Sequence, residues 1–128
     1  MSDAPPVSKT MLWIGRVLSA LPVLMLAMSA SMKLMKSPML VEGFAHLGWP
    51  ESVAITLGIV ELSCAILYAI PQTAVLGAIL VTGYLGGAVA THVRIGEPFH
   101  MPIILGVIAW GGLYFRDARI RALIPLRS

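Results

Sequence analysis

The stretch Val53–Ile70, VAITLGIVELSCAILYAI, decides the fold because it is long and apolar enough to cross a membrane as a helix. Its single charged residue is Glu61. A carboxylate surrounded by hydrocarbon is costly unless it is protonated, paired or hydrated, so such residues usually mark functional sites. The alternative is a structural role, in which a protonated Glu61 hydrogen-bonds a neighbouring helix, but such a bond stabilises a membrane protein by only about 1 kcal/mol.

The composition of the whole chain indicates an integral membrane protein. Of its 128 residues, 58% are hydrophobic and 12% are charged, and the mean hydropathy is +0.88. Such a chain is too apolar to present a soluble surface. The net charge of +3 comes from basic residues near the ends of the apolar runs, as is usual beside a membrane. We therefore expect the lipid bilayer, and no nucleic acid, as a partner.

Three further apolar runs predict membrane-spanning helices: 11–32, 74–92 and 99–115. The last reaches the minimum span of about 17 residues only if Phe99 and His100 are included, so it is either a short span or a helix that continues into the interface. Pro71 and Gln72 form a tight link that makes the two flanking helices antiparallel neighbours. The sequence thus predicts an all-α transmembrane domain over 11–115, an up-and-down four-helix bundle.

The connection between the first two spans contains a further helix signal. Ser37 and Pro38 are typical of a helix start, and Leu40, Phe44 and Leu47 then follow at helical spacing. We expect a short amphipathic interfacial helix here, followed by Trp49 as an aromatic anchor. It is either a lid over the bundle or a plain connector that lies flat on the lipid.

The basic residues predict the orientation of the chain. Residues 1–10 are expected to form a disordered tail, and residues 116–128 a basic tail. Lys9, Arg16 and the arginines after the last span lie on one side of a four-span protein, and fewer basic residues lie on the other. Because positive charge accumulates in cytoplasmic segments, we expect both termini in the cytoplasm.

Helix direction and length predict which polar residues lie at one depth. Glu61 is about eight residues into its span, roughly 12 Å deep at 1.5 Å per residue. Tyr84 and Trp110 are expected at a similar level, and Lys33 and His92 at the outer ends of their helices. We predict that Glu61 and His92 handle protons, and that Lys33, Tyr84 and Trp110 line a binding pocket. Each has a simpler alternative: Lys33 snorkels, His92 is an interfacial polar residue, and the two aromatic residues pack between helices.

Glycines of the third span predict a close helix contact. Gly77, Gly83, Gly86 and Gly87 provide a surface of small residues, and Gly83 and Gly87 form a small-xxx-small pair. We expect a neighbouring helix to approach this surface closely.

No metal site is predicted. Cys64 is the single cysteine, which excludes an intramolecular disulfide and a thiolate cluster within one chain. The three histidines lack the spacing of a metal-binding helix.

Several short motifs resemble the DoxX-like family of small membrane proteins: Ser31, Lys33 and Leu34; Phe44 with Leu47-Gly48-Trp49-Pro50; Gly58 with Glu61; and the run Gly86–His92, GGAVATH. The resemblance implies a four-helix protein of the bacterial inner membrane, with polar family positions at Lys33, Glu61 and His92. The family takes its name from a subunit of a thiosulfate:quinone oxidoreductase. Because Cys64 is alone, sulfur redox chemistry by this chain alone is not expected.

Two functions remain open. The chain is either a membrane subunit or accessory of a quinone-linked redox system, or a non-catalytic membrane protein that binds a lipid or small molecule or stabilises a complex. A membrane redox protein or a second copy of the chain is the expected partner. A proton-coupled transporter is less favoured, because internal repeats and broken helices are not found in the sequence.

Overall fold

A computed structural model describes residues 8–123, and in this part of the chain every regular element is a helix. Six α-helices follow one another: α1 (Lys9–Met35), α2 (Pro38–Leu47), α3 (Ala54–Ala69), α4 (Ala74–Arg94), α5 (His100–Arg116) and α6 (Ala118–Leu123). Single turns of 3₁₀-helix at Glu51–Val53 and Pro71–Thr73 lead into α3 and α4. The predicted all-α class and the predicted short helix between the first two long ones are confirmed.

Within residues 8–123, three helical segments are long and apolar enough to cross a membrane: Lys9–Met35, Glu51–Ala69 and Pro71–Arg94. The fourth apolar helix, α5, has 17 residues and is shorter than these three. The sequence predicts this difference, because the last apolar run is the shortest of the four.

The first helix begins within the segment predicted as a tail. Ser8 caps α1, because its Oγ accepts a hydrogen bond from the Met11 amide at 3.2 Å. At the other end, Asp117 Oδ1 accepts from the Arg119 amide and opens α6, whose Ile120 is buried. The Arg119 side chain also donates to this carboxylate and thereby lowers the pKa of Asp117. Residues 1–7 and 124–128 of the two predicted tails lie outside the described residues.

The long helices contact one another in a ring. Helix α1 packs against α3 and α5, and α4 completes the ring by packing against both of these. Residue pairs across the α1–α3 interface run in opposite order, since Ser29 contacts Glu61 while Ser19 contacts Tyr68. These two helices are therefore antiparallel.

Glycines permit the closest contacts, but not all the predicted ones. A Cβ placed on Gly77 would collide with the backbone of Tyr68, so α3 and α4 touch there. By contrast, a Cβ on Gly83, Gly86 or Gly87 would meet no atom within 4 Å. The expectation that a helix packs closely on these three glycines is wrong for the described chain; they border open space instead.

Helix α2 covers one end of the ring. Ser37 caps its start and Gly48, with φ of 79°, ends it. Phe44 is buried facing the ring. The Arg94 guanidinium at the end of α4 donates to the Leu47 carbonyl. His46 Nε2 also lies 2.6 Å from Glu97 Oε1 in the next loop. These ties favour the lid interpretation over that of a plain connector.

The glycine contacts predict opposite responses to the same substitution on one helix. Gly77→Leu should lower the free energy of unfolding by about 3 kcal/mol, because the new side chain must displace the α3 backbone. Gly83→Leu should leave it unchanged or slightly higher, because leucine has the better helix propensity and free space. Thermal unfolding in detergent, followed by circular dichroism, measures both. Equal melting temperatures would contradict the assigned packing.

Candidate functional site

A buried ion pair joins α1 to α3. Lys33 Nζ lies 2.9 Å from Glu61 Oε1, and the two side chains are 11% and 3% exposed. Ser29 Oγ lies 2.7 Å from Lys33 Nζ, from which it accepts, and 3.1 Å from Glu61 Oε1, to which it donates. A buried charge pair persists only when its groups are close and further hydrogen bonds satisfy them, and this three-residue cluster meets both conditions.

Helical spacing explains how the cluster forms. Ser29 and Lys33 are four residues apart and therefore share one face of α1. On α3, Gly58 lies one turn before Glu61, and a Cβ there would sit 3.1 Å from the Cβ of Lys33. The missing side chain lets α1 approach α3 at the level where the lysine must reach the carboxylate. Ser29 is not among the predicted site residues, although its position four residues before Lys33 places both on one helix face.

The cluster is satisfied on one side only. Both of its hydrogen bonds to Glu61 end on Oε1. Among the described residues no hydrogen bond ends on Oε2, and Glu61 lines an open space on whose wall Tyr84 lies close to it. An ammonium has three N–H groups, and Lys33 uses two of them here. Glu61 Oε2 is thus available as an acceptor, and the third N–H group of Lys33 is available beside it as a donor.

This open space is a cavity of about 570 Å³ beneath α2. Each of the four long helices contributes to its wall, and α2 contributes Phe44 and Leu47. Trp49, predicted as an interfacial anchor, also lines it. The polar side chains on the wall are Ser29, Lys33, Glu61, Tyr84, Thr91 and His92, and most of the remaining lining is apolar. Gly83 and Gly87 border the cavity, which explains why no helix packs on them.

His92 lines the cavity, and a hydrogen bond within its own helix defines which ring nitrogen carries the hydrogen. Its Nδ1 lies 2.7 Å from the Ala88 carbonyl oxygen. Because a carbonyl only accepts, Nδ1 carries the hydrogen, and in the neutral ring Nε2 is therefore an acceptor. Tyr84 lies on the same wall, near enough to Glu61 for the two side chains to interact electrostatically. The structure thus brings four of the five predicted site residues, Lys33, Glu61, Tyr84 and His92, to one cavity.

Trp110 lies elsewhere. Its Nε1 donates to Thr82 Oγ1 at 2.7 Å, and its ring lines a separate groove between α4 and α5. The depth estimate gave its level along the helix but not the direction in which the side chain points. Trp110 therefore does not line the Glu61 cavity.

The opposite end of the ring is packed instead of open. The Tyr68 hydroxyl is fully buried, donates to the Ala109 carbonyl at 2.6 Å and lies 3.1 Å from Ser19 Oγ. Arg116 stacks on the Tyr68 ring with its guanidinium carbon 5.2 Å from the ring centre. No group of three or more His, Cys, Asp or Glu side chains within residues 8–123 could hold a metal ion.

Removing one partner of the ion pair should harm the protein more than removing both. Lys33→Met should lower the free energy of unfolding by about 3 kcal/mol or more, because it leaves the Glu61 charge buried and uncompensated. The double variant Lys33→Met with Glu61→Met should recover most of this loss. Lys36→Met, at an exposed position nearby, is the control and should have little effect. A double variant no more stable than Lys33→Met would contradict the coupling, as measured by thermal unfolding in detergent.

Comparison with known proteins agrees with the geometry. The model of the DoxX-like family matches residues 17–112. The match contains the Lys33–Glu61 pair together with Tyr84 and His92. No curated protein and no solved structure was found to match the chain. Since the family match spans most of the sequence and includes its apolar helices, this membrane protein belongs to the DoxX-like family.

Proposed function

We propose that this DoxX-like protein is an up-and-down bundle of four spans in the bacterial inner membrane, with α5 as the short fourth span. The basic residues support an orientation with both termini in the cytoplasm, since Lys9, Arg16 and Arg116 would then lie on the cytoplasmic side. In that orientation, α2 and the Glu61 cavity belong to the outer half of the membrane.

In this proposal the cavity binds a lipophilic ligand with a hydrogen-bonding head group of the quinone type. The observation that carries it is the half-satisfied Lys33–Glu61 pair, which faces a mostly apolar cavity. Ligand sites typically combine an apolar wall with a few convergent polar groups, and the cavity lies within their usual size range of about 300–1,000 Å³. The protein then acts as a membrane subunit or accessory of a quinone-linked redox system.

The polar groups suit both oxidation states of such a ligand. Quinone carbonyl oxygens accept hydrogen bonds, which the Lys33 ammonium can donate, whereas quinol hydroxyls donate to Glu61 Oε2 or His92 Nε2. Oxidation of a quinol releases two protons and two electrons. Glu61 and His92 would receive the protons, and a redox partner protein in the membrane would receive the electrons.

A second candidate is non-catalytic binding of a lipid or small molecule. The observation in its favour is that Glu61 Oε1 already accepts hydrogen bonds from Lys33 and Ser29 within the protein. In this case the pair orients a bound head group and exchanges no protons. A second copy of the chain, in place of a redox protein, is then the natural partner.

Glu61→Gln separates the two candidates. In the redox proposal, this variant should still bind a decyl-substituted benzoquinone. The quinone oxygens accept from the Lys33 ammonium, which the substitution leaves in place, and the amide has the shape of the carboxylate. The variant should lower quinol-dependent turnover in native membranes about 100-fold, because the amide cannot accept the proton. The loss of a positioned proton acceptor usually lowers a reaction rate by about 10²–10⁴-fold. Binding is measured by titration calorimetry and turnover by absorbance of the quinone.

The matched control for this experiment is Glu42→Gln on the exposed face of α2. It should retain full turnover and binding. Full turnover of Glu61→Gln with intact binding would exclude the proton-handling role and leave the non-catalytic candidate. Wild-type protein that does not bind the quinone would contradict the proposed ligand class.

A further inference from the structure

A second apolar depression lies beside the Glu61 cavity, between α4 and α5. This α4–α5 groove has a volume of about 550 Å³. Leu85 and Pro102 line both the groove and the cavity. The groove and the cavity are therefore adjacent, and Leu85 and Pro102 form the wall that they share.

Missing side chains keep the α4–α5 groove open. A Cβ on Gly86 or Gly111 would meet no atom within 4 Å, and one on Gly106 would meet only a methyl group of Leu85, at 3.7 Å. On α4, Gly83 and Gly87 border the cavity while Gly86 borders the groove. Helix α4 thus carries glycines on the face toward the cavity and on the neighbouring face toward the groove.

The chemistry of the α4–α5 groove suits hydrocarbon. The indole N–H of Trp110 is occupied by Thr82 Oγ1, and the Thr82 hydroxyl in turn donates to the Ala78 carbonyl. Pro102 has no N–H to offer. Apart from Tyr114, which also lines it, the groove thus presents mostly carbon surface, in contrast to the cavity that adjoins it at Leu85.

We infer that the α4–α5 groove binds the apolar tail of the ligand whose polar head lies at Lys33 and Glu61. This inference rests on the proposed function and deepens it, because it makes the ligand an amphiphile with a linear hydrocarbon or isoprenoid tail. The groove adjoins the cavity at Leu85 and Pro102, and this adjacency supports one ligand that occupies both spaces. A membrane lipid chain or a helix of a second copy would not require the groove to adjoin the cavity.

Two benzoquinone probes test the inference, one without a tail and one with a decyl tail. The full-length protein is studied in lipid nanodiscs by titration calorimetry, with correction for partition of each probe into protein-free nanodiscs. The wild type should bind the decyl probe at least about 10-fold more tightly, because the groove buries the tail. Gly86→Leu fills the groove and should reduce this advantage to below about 2-fold while binding of the tailless probe is unchanged.

Gly43→Leu is the matched control, because it is the same substitution at an exposed glycine that also has no atom within 4 Å and lines neither space. It should keep the full tail advantage. If Gly86→Leu also weakens the tailless probe, Gly111→Leu on the facing helix takes its place in the comparison.

The outcomes separate the inference from the proposed function. A tail advantage that survives Gly86→Leu, or wild-type binding that is equal for both probes, overturns the groove as tail site and leaves the cavity proposal standing. Failure of both probes to bind the wild type overturns the two together. If Gly86→Leu instead converts a dimer to a monomer in the nanodisc, the groove is a protein interface and the inference is wrong.

Discussion

The ion pair between Lys33 and Glu61 is the interaction on which the rest of the structure depends. Two charges removed from water are costly to bury, and they are tolerated only when they are close together and hydrogen-bonded. At 2.9 Å, with Ser29 bridging them, they meet this condition. The requirement extends to the backbone, because a Cβ on Gly58 would lie only 3.1 Å from the Cβ of Lys33, and a glycine at this position therefore favours the close approach of α1 to α3.

The same pair also explains why one end of the helix ring is open. Within residues 8–123 the hydrogen bonds to Glu61 end on Oε1, and the other carboxylate oxygen needs a hydrogen-bond partner or water. A tightly packed apolar core around it would leave that oxygen unsatisfied, at a cost of about 1–3 kcal/mol or more for a charged group. The cavity, with its glycine wall on α4 and its lid from α2, meets this need. Phe44 and Leu47 of α2 line this space without filling it.

Much of this arrangement could be predicted from the sequence, and the exceptions have physical causes. The lengths of the apolar runs predicted the long helices. The positions of Lys33, Glu61 and His92 along their spans predicted that these residues share one half of the bundle. Depth does not give the direction of a side chain around its helix axis, so Trp110 was grouped with them although it lies in a different groove. Small residues permit either a close contact or a void, and the pattern alone could not distinguish Gly77, which touches α3, from Gly83, which borders the cavity.

The packed end of the ring compensates for the open one. In lipid the hydrophobic effect does not drive helices together, so their association depends on close packing and hydrogen bonds. A cavity forfeits packing contacts in proportion to its size. Those contacts are concentrated at Tyr68, which is fully buried and reaches α5 through the Ala109 carbonyl, and at Gly77, which meets the Tyr68 backbone. The packed end thus supports the four helices beside the cavity, where the Lys33–Glu61 pair joins α1 to α3 and where the proposed ligand would bind.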